Sequence, residues 1–361
     1  MSAQQNPKNT WQLFKRNKLA VTGLIVIITI TILSILGYLV MPDSSPMANN
    51  MTIQLSIKKP GTRFMMLRLP KEVKAEKVNI FKKMLYGQPA LYSDIPITSY
   101  KFTTDSVIAD EYIGTEDQPE KKTYSSKNAQ ITSKTFWLGT DIYGRDLLSR
   151  LILGTRVSLS VGLMAVIISM FLGLTIGSIA GYFGGWIDAA LSWLMNILWA
   201  LPALLLVIAL SFALGKGLWQ IFLAVGLSMW VEVARLVRGQ VLSIKQTEYV
   251  EAARSMGFSN IRIISKHIIP NIIGPILVLA SSNFASAILL EAGLSFLGFG
   301  AQPPMPTWGS MIKEHYGYIV MDSAYLAIFP GIAIMILVYS FNLVTIGLRD
   351  AFDIKSQSAR F

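Results

Sequence analysis

Residues 247–257 have types and spacings that suit a short helix and a tight turn, a shape that could dock against another protein. Thr247 can cap a helix, and Glu248 and Glu251 would then lie in its first turn, at the positive end of the helix dipole. Gly257 is suited to end this helix in a left-handed conformation. The pattern therefore predicts a short helix that is closed by a tight turn.

Two alanines and a second helix complete the predicted projection. Ala252 and Ala253 favour a helix and have almost no side chain, so another surface could approach them closely. Ser259 can cap a second helix that leads to Pro270 at the start of an apolar run. This compact helix–turn–helix could insert into a cleft of a partner. On spacing alone, a solvated hairpin between two helices is an equal alternative.

Patterns for catalysis and metal binding are absent from the sequence. It has no cysteine and two histidines, which excludes disulfides, thiolate metal sites and a histidine metal cluster. The nucleotide-binding pattern G-x-x-x-x-G-K-[ST] is also absent, because Gly217 follows Gly215-Lys216 and position 210 is Leu. We therefore expect no catalytic, cofactor-binding or metal-binding residues in this chain.

The composition indicates a polytopic membrane protein. Hydrophobic residues make up 52% of the chain and charged residues 15%, against about 25% charged in soluble domains. Six runs are long enough, or nearly so, to cross a bilayer core of about 30 Å as helices, and they lack the charged face that a soluble helix needs. We predict an all-α protein with six transmembrane helices, at residues 19–42, 157–182, 189–213, 217–236, 268–290 and 323–348.

Basic residues near the helix ends predict the orientation. The N-terminal tail 1–18 has four basic residues and no acidic residue, and the loop 237–267 has five basic residues. We therefore place both on the cytoplasmic side. With six spans, the C-terminal tail 349–361 returns to that side.

The segment 43–135, between the first two predicted spans, differs from the rest of the chain. It contains 14 Lys or Arg and 10 Asp or Glu residues, together with turn signals and short β-like runs such as residues 95–102. We expect a small folded insert of β or α+β structure on the outer side of the membrane. A poorly ordered loop is the alternative.

Small residues and prolines mark positions where the spans could pack or bend. Gly173, Gly177 and Gly181 are four residues apart and lie on one helix face, where glycine lets backbones approach. They could contact another helix of this chain or a partner, or reflect general bundle packing. Pro202 and Pro330 predict kinks, which suit a channel that changes conformation but are also common in static bundles.

Several segments resemble one family. The residues Glu251-Ala252-Ala253-Arg254-Ser255-Met256-Gly257 resemble the EAA loop of ABC-transporter permease subunits, the segment that contacts a separate ATPase. The wider match is to the second permease of dipeptide and oligopeptide importers, the DppC/OppC-like type. The other segments that carry this resemblance are 11–20, 138–150, 154–159, 235–242, 291–300 and 302–309.

The resemblance implies a fold and a set of partners. The fold is that of type I ABC importer permeases, with a permease core at 136–348. A homologous second permease would share the pathway, two separate ATPase subunits would bind ATP and Mg, and an extracytoplasmic binding protein would deliver peptides. This chain would be a non-catalytic, multi-pass subunit of the bacterial cytoplasmic (inner) membrane, with both termini cytoplasmic and no nucleic-acid partner.

The resemblance also implies three sets of functional residues. The ATPase-coupling loop would comprise Glu248, Glu251, Ala252, Ala253, Arg254, Met256, Gly257 and Pro270. An outer-face signature, either an ion-pair lattice or an interfacial anchor, comprises Asp141, Gly144, Arg145, Asp146, Arg150 and Arg156. An outer loop that gates or docks comprises Gln302, Pro303, Pro304 and Trp308.

The cargo and the energy source have alternatives. The resemblance implies di- or oligopeptides as cargo, with nickel chelates and antimicrobial peptides as alternatives, because this branch of the family carries all of them. The segment 43–135 is much longer than its counterpart in the family, which leaves the substrate open. An ion-coupled secondary transporter or a channel is disfavoured. Secondary transporters carry charged residues inside their spans, whereas Glu232 and Glu291 lie at predicted span ends.

Overall fold

The structure is a computed structural model that describes residues 7–71, 78–114, 119–125, 129–215 and 217–358, without the side chains of 7–9 and 353–358. Parts of the predicted tails and insert, and Lys216, lie outside these residues. The chain forms two compact units, which we describe separately. The helical unit comprises residues 1–29, 158–301 and 333–361, and the sheet unit comprises residues 30–157 and 302–332.

The chain consists mainly of helices, with one group of strands near its N-terminal third. The helices are α1 (Pro7–Arg16), α2 (Lys18–Val40), α3 (Ile80–Tyr86), α4 (Leu147–Phe183), α5 (Gly185–Trp199), α6 (Ala203–Leu214), α7 (Leu218–Ile244), α8 (Glu248–Ser255), α9 (Asn260–Ile263), α10 (Ile269–Leu297), α11 (Trp308–His315) and α12 (Tyr325–Ser358). The strands are β1 (Thr62–Pro70), β2 (Tyr92–Phe102), β3 (Ser106–Glu111), β4 (Glu120–Ser125) and β5 (Gln130–Phe136).

Five helical segments within the described residues are long and apolar enough to cross a membrane. They are Lys18–Val40, Leu147–Phe183, Leu218–Ile244, Asn260–Leu297 and Tyr325–Phe352. A sixth candidate is the pair α5 and α6, which is bent by 95° at a short break. The helices therefore provide five candidate spans, or six if this bent pair forms one span.

The third predicted span is not a single helix. Helix α5 ends at Trp199 and α6 begins at Ala203, so the sequence expectation of a kink understates the change in direction. Pro202 explains the break, because it has no backbone N–H and its ring disfavours a helical conformation at Leu201. The carbonyl oxygen of Pro202 then accepts the first hydrogen bond of the next helix, from the N–H of Leu206 at 3.1 Å.

Other helices extend beyond the apolar runs. Helix α4 begins at Leu147 rather than 157, α7 continues to Ile244 rather than 236, and α10 continues to Leu297 rather than 290. Backbone hydrogen bonding does not stop where the apolar side chains stop. As a result, Glu291 lies inside α10 and is fully buried. Its carboxylate accepts hydrogen bonds from Ser158 at 3.2 Å and Ser295 at 2.7 Å.

The glycine ladder of α4 packs against α7 of the same chain. Cβ atoms at Gly173, Gly177 and Gly181 would overlap Val233, Val237 and Val241 respectively, with closest approaches to α7 of less than 3.0 Å. At Gly177 the overlap would include the backbone carbonyl oxygen of Ala234, which no side-chain rotation can relieve. The ladder therefore serves a contact between two helices of this chain.

The sheet unit contains one antiparallel sheet with the strand order β4–β3–β2–β1–β5. Neighbouring residues of β1 point to opposite faces of the sheet. Met66 packs with Leu55, Tyr112 and Phe136 in one apolar cluster. Leu67 packs in another cluster, with residues of β2 and β3. The strands expected in the insert are therefore present, accompanied by the short helix α3.

We expect Gly177→Ala to destabilise the helical unit. The added methyl group would force α4 away from the backbone of α7, and overpacking of this kind costs about 1–3 kcal/mol. Thermal unfolding of the detergent-solubilised protein should show a midpoint several degrees below that of the parent.

The matched control is Gly239→Ala in α7, where no atom lies within 4 Å of the added Cβ. Alanine favours a helix by up to about 1 kcal/mol over glycine, so this variant should unfold at or above the parent midpoint. Equal unfolding midpoints for Gly177→Ala and Gly239→Ala would show that the close approach of α4 and α7 does not contribute to the stability of the protein.

Candidate functional site

The segment from Thr247 to Ile268 forms a helical hairpin, which we call the α8–α9 hairpin. Helix α9 continues through a π-helical turn directly into α10. Thr247 and Ser259 occupy the N-cap positions, but neither side chain forms the expected cap hydrogen bond. The Thr247 hydroxyl instead donates to the carbonyl oxygen of Ile244 at 2.6 Å, which ties the start of α8 to the end of α7.

Gly257 closes α8 in a left-handed conformation, with φ of 76°. Its N–H donates to the carbonyl oxygen of Arg254 at 2.9 Å, and the N–H of Phe258 donates to that of Ala253 at 3.2 Å. This pair of hydrogen bonds is a Schellman motif. No atom lies within 4 Å of a Cβ added at Gly257, so glycine is required for its backbone conformation and not for packing.

One face of the hairpin is anchored in the core of the helical unit. Four residues of the hairpin are less than 5% exposed, namely Val250, Ala253, Ile263 and Ile268. They pack in one cluster with residues of α4 and α7, and the cluster includes Tyr182, Val233, Val237, Val241, Val250, Ala253, Ile263 and Ile268. The hairpin therefore has a rigid base on α4 and α7.

The other face of the hairpin is exposed, and it divides the predicted coupling residues. Met256 is 73% exposed and Ile261 is 80% exposed. Ala252 is exposed, whereas Ala253 lies in the core, so only one alanine of the pair can face a partner. The other exposed residues of the predicted coupling set are Glu248, Glu251, Arg254, Gly257 and Pro270. Ile261 was missed, although an apolar residue isolated in the polar run 259–262 was a signal for it.

Two further residues were missed by the sequence analysis, Tyr182 beside the hairpin and Asp188, which joins α5 to α7. The Tyr182 hydroxyl donates to the Asn260 side chain at 2.9 Å, and the guanidinium of Arg254 lies 5.6 Å from the centre of the Tyr182 ring. Asp188 of α5 accepts two hydrogen bonds from Arg238 of α7, at 2.5 and 2.7 Å. Asp188 could have been found, because it is the single charge between the charge-free runs 157–187 and 189–215.

The predicted outer-face signature lies in the sheet unit, where Asp141 and Arg145 form its centre. Arg145 donates to Asp141 at 2.5 Å, and it also donates to Asn49 at 3.2 Å and Glu314 at 3.1 Å. Gly144 turns the chain between them with φ of 70°, and a Cβ there would overlap the carbonyl oxygen of Thr52. The turn thus presents both side chains to one buried site.

The predicted ion-pair lattice is smaller than expected and includes one acid that was missed. Arg150 is 2% exposed and lies 3.6 Å from Asp141 and 4.0 Å from Glu314. Asp146 does not join this network: its carboxylate accepts hydrogen bonds from the backbone and hydroxyl of Ser149. Burial raises the pKa of Asp146, because water no longer solvates its charge. No sequence pattern marked Glu314, in α11, as part of this network, because its partners are distant in the sequence.

Arg156 is also outside this lattice. Its guanidinium donates to carbonyl oxygens within α2, including that of Ser34 at 3.0 and 3.1 Å, and to those of Met84 and Leu85 in the last turn of α3 at 3.0 Å. The carbonyl groups in the last turn of α3 lack intrahelical partners and carry partial negative charge, which the cation offsets. Arg156 therefore joins α4 to two other helices.

The predicted outer loop separates into an exposed part and a buried anchor. Gln302, Pro303 and Pro304 are exposed. Trp308 is 2% exposed, and its indole N–H donates to the carbonyl oxygen of Leu151 at 3.0 Å. A Cβ at Gly154 would lie 2.9 Å from the indole ring, so glycine makes room for it. Trp308 thus holds the loop to α4, and the other three residues are exposed at the surface of the sheet unit.

A buried histidine adjoins the ion pairs. Asp141, Glu314 and His315 each have a potential ligand atom within 4.8 Å of the others. His315 is fully buried, and its Nδ1 bonds to the carbonyl oxygen of Met311 at 2.7 Å. Both carboxylates already bind Arg145, and a metal ion here would face that positive charge. Ion pairs, rather than a metal ion, account for the arrangement of these side chains.

We expect Gly257→Val to open the α8–α9 hairpin locally. A β-branched residue at this positive φ costs about 1–2 kcal/mol, which corresponds to a roughly 5- to 30-fold larger open population. Tryptic cleavage after Arg254 and Arg262 should accelerate by a comparable factor. Gly257→Asn is the matched control, because asparagine tolerates this conformation better. Equal cleavage rates in the two variants would contradict a conformational role for the glycine.

We also expect a pH dependence from His315. Burial lowers its pKa below the usual 6.5, with Asp141, Glu314 and Arg150 as its charged neighbours. Because the unfolded chain then binds the proton more readily, the contribution of neutral His315 to stability falls as the pH drops below about 6.5. One proton gives at most about 1.4 kcal/mol per pH unit.

The measurement compares the parent with His315→Gln by thermal unfolding between pH 8 and pH 5. The parent should lose stability relative to the variant at the acidic end. Asp146, whose raised pKa acts in the opposite direction, is present in both proteins and cancels. His267→Gln is the histidine control. A stability difference between the parent and His315→Gln that does not change with pH would refute this assignment.

Comparison with known proteins places the hairpin within a matched family region. The profile described as binding-protein-dependent transport system inner membrane component matches residues 173–356, just over half of the 361 residues. A second profile, the N-terminal TM domain of oligopeptide transport permease C, matches residues 8–56.

Three relatives support the same assignment. The glutathione transport system permease protein GsiD of Pectobacterium atrosepticum is 43% identical, over 63% of this chain and 75% of its own. The dipeptide transport system permease protein DppC of Alkalihalophilus pseudofirmus is 42% identical, over 66% and 78%. The oligopeptide transport system permease protein OppC of Bacillus subtilis is 41% identical, over 62% and 73%. The chain belongs to the family of binding-protein-dependent transport system inner membrane components.

Proposed function

We propose that this chain is a membrane-spanning permease subunit of an ABC importer that takes up peptides. The three relatives are named for transport of dipeptides, oligopeptides and glutathione, which are all peptides. The observation that carries the coupling mechanism is the α8–α9 hairpin, which has a base buried in the helical unit and an exposed tip at Met256 and Ile261.

The proposed topology has six spans, with α5 and α6 together forming the third. The basic residues of tail 1–18 and loop 237–267 support a cytoplasmic location for both termini and for the hairpin. The insert 43–135 would then lie outside the membrane, where a long segment can be translocated despite its positive charge. The protein would be a multi-pass component of the bacterial inner membrane.

The proposed partners follow from this arrangement. A homologous second permease would complete the pathway, and a binding protein would deliver peptide from the outer side. Two ATPase subunits would bind ATP and Mg and contact the hairpin from the cytoplasm. Met256 and Ile261 would enter an apolar recess of the ATPase, where buried apolar anchors supply most of the binding energy. Glu248 and Glu251 would pair with basic residues at its rim.

The hairpin would transmit force because it cannot move independently of the helices beneath it. Val250, Ala253 and Ile263 interdigitate with α7, and α9 continues into α10. Packed cores shift between discrete arrangements rather than deforming continuously. A displacement of the tip, driven by closure of the ATPase pair, would therefore move α7 and α10 together and change which side of the pathway is open.

The test reconstitutes this chain with the second permease and both ATPases in lipid nanodiscs, together with binding protein loaded with di- to octapeptides. We expect peptide-dependent stimulation of ATP hydrolysis. Met256→Asp should reduce it by at least about tenfold, because a charge in a buried contact costs more than the 1.4 kcal/mol that corresponds to a factor of ten.

Met256→Leu is the matched control, since it retains an apolar side chain of similar volume, and it should remain close to the parent. Normal stimulation in Met256→Asp would refute the role of the hairpin tip. An assembled complex that no peptide stimulates would instead refute the peptide cargo, so the two parts of the proposal fail separately.

A further inference from the structure

The helical unit has an apolar groove that the proposed transport mechanism does not use. Its volume is about 390 Å³, within the range of about 300–1,000 Å³ that is usual for ligand pockets. Thr10 is the one polar residue among its lining residues. The principal apolar side chains come from α1, α2, α10 and α12, and they are Trp11, Phe14, Leu24, Leu277, Leu348 and Phe352.

The groove lies at the ends of candidate spans. Helix α1 ends at Arg16 and α2 begins at Lys18, with Asn17 between them. The Asn17 side chain accepts a hydrogen bond from the N–H of Ala20 and donates one to Asp350 of α12, both at 3.1 Å. Asn17 therefore holds α1 beside the first turn of α2 and the last part of α12. Because these two helices are candidate spans, α1 lies at the surface of the membrane that they cross.

Helix α1 has the character of an interfacial helix. Phe14 is 3% exposed and packs with residues of α2 and α12. Trp11 stacks on Phe14 with ring centres 5.6 Å apart, yet it is 49% exposed. Leu277, on the α10 wall of the groove, is 43% exposed. Large apolar side chains that line an open groove at this level would contact lipid acyl chains rather than water.

The charge beside the groove is positive. The Lys15 ammonium lies 5.0 Å from the centre of the Trp11 ring, which forms part of the groove wall. Arg16 and Lys18 are also exposed. Residues 1–42 contain four basic residues and no acidic residue. Asp350, the nearby acid of α12, is hydrogen bonded to Asn17. A ligand with an apolar tail and a negatively charged head would complement both features.

We propose that this groove is a binding site for an anionic phospholipid. One acyl chain lies between Trp11, Leu24 and Leu277, and the phosphate-bearing headgroup contacts Lys15, Arg16 and Lys18. This acyl chain then packs against the first turns of α10, the helix that continues from the α8–α9 hairpin. The site depends on the membrane location of the chain and does not depend on its cargo.

The binding test uses native mass spectrometry of the full-length protein titrated with phosphatidylglycerol and with phosphatidylcholine of identical acyl chains. We expect phosphatidylglycerol to bind at least about tenfold more tightly, because each basic residue near the headgroup adds attraction. The triple variant Lys15→Gln, Arg16→Gln, Lys18→Gln should remove this preference. Equal affinity of the parent for the two lipids would overturn the proposal.

A second pair of variants tests the groove itself. Leu277→Trp fills it and should weaken binding of phosphatidylglycerol by about tenfold. Leu289→Trp is the matched control, because Leu289 is 51% exposed on the same helix but does not line the groove. If Leu277→Trp binds phosphatidylglycerol as tightly as Leu289→Trp, the acyl chain does not occupy the groove.

A cross-linking experiment on the assembled transporter distinguishes lipid from protein occupants. A photoreactive amino acid replaces Leu277, and the cross-linked products are identified by mass spectrometry. Attachment to phospholipid is the expected result. Attachment to the second permease, or to the terminal residues of this chain, would show that polypeptide fills the groove and would overturn the proposal.

Discussion

The close approach of α4 and α7 is the contact on which the helical unit depends. In lipid, burial of apolar surface provides little force between helices, so association relies on tight packing. Three glycines of α4 allow this packing, and each meets a valine of α7, at Val233, Val237 and Val241. The same valines belong to the apolar core beneath the α8–α9 hairpin. The position of the hairpin is therefore determined by helix packing in the spans as much as by its own turn.

This arrangement explains how one short segment can combine rigidity with exposure. The base of the hairpin is buried to within a few percent, and the Schellman motif at Gly257 sets the angle between α8 and α9. The tip presents Met256 and Ile261, which are 73% and 80% exposed. A surface of this kind is stable in the isolated chain and still has binding energy available for a partner. The proposed coupling role uses both properties.

The sheet unit is organised by a different constraint, the cost of buried charge. Arg150 and Arg145 are almost completely buried, which is tolerated only where carboxylates lie close by. Asp141 and Glu314 supply them, although they come from segments far apart in the sequence. Loss of either acid would leave an uncompensated guanidinium, so this cluster holds the loop that carries α11 against the start of α4. The exposed residues before Trp308 are then presented from a fixed base.

The sequence by itself determined the properties that depend on local composition and spacing. Charge-free runs predicted the apolar helices, and Gly257 predicted a left-handed helix end, because both follow from the chemistry of neighbouring residues. The tertiary structure decided which residues meet. Ala253 turned inward while Ala252 stayed exposed, and Glu314 joined the ion pairs in place of Asp146. These outcomes depend on contacts between distant segments, and the energy of such contacts is set by three-dimensional packing that no local pattern encodes.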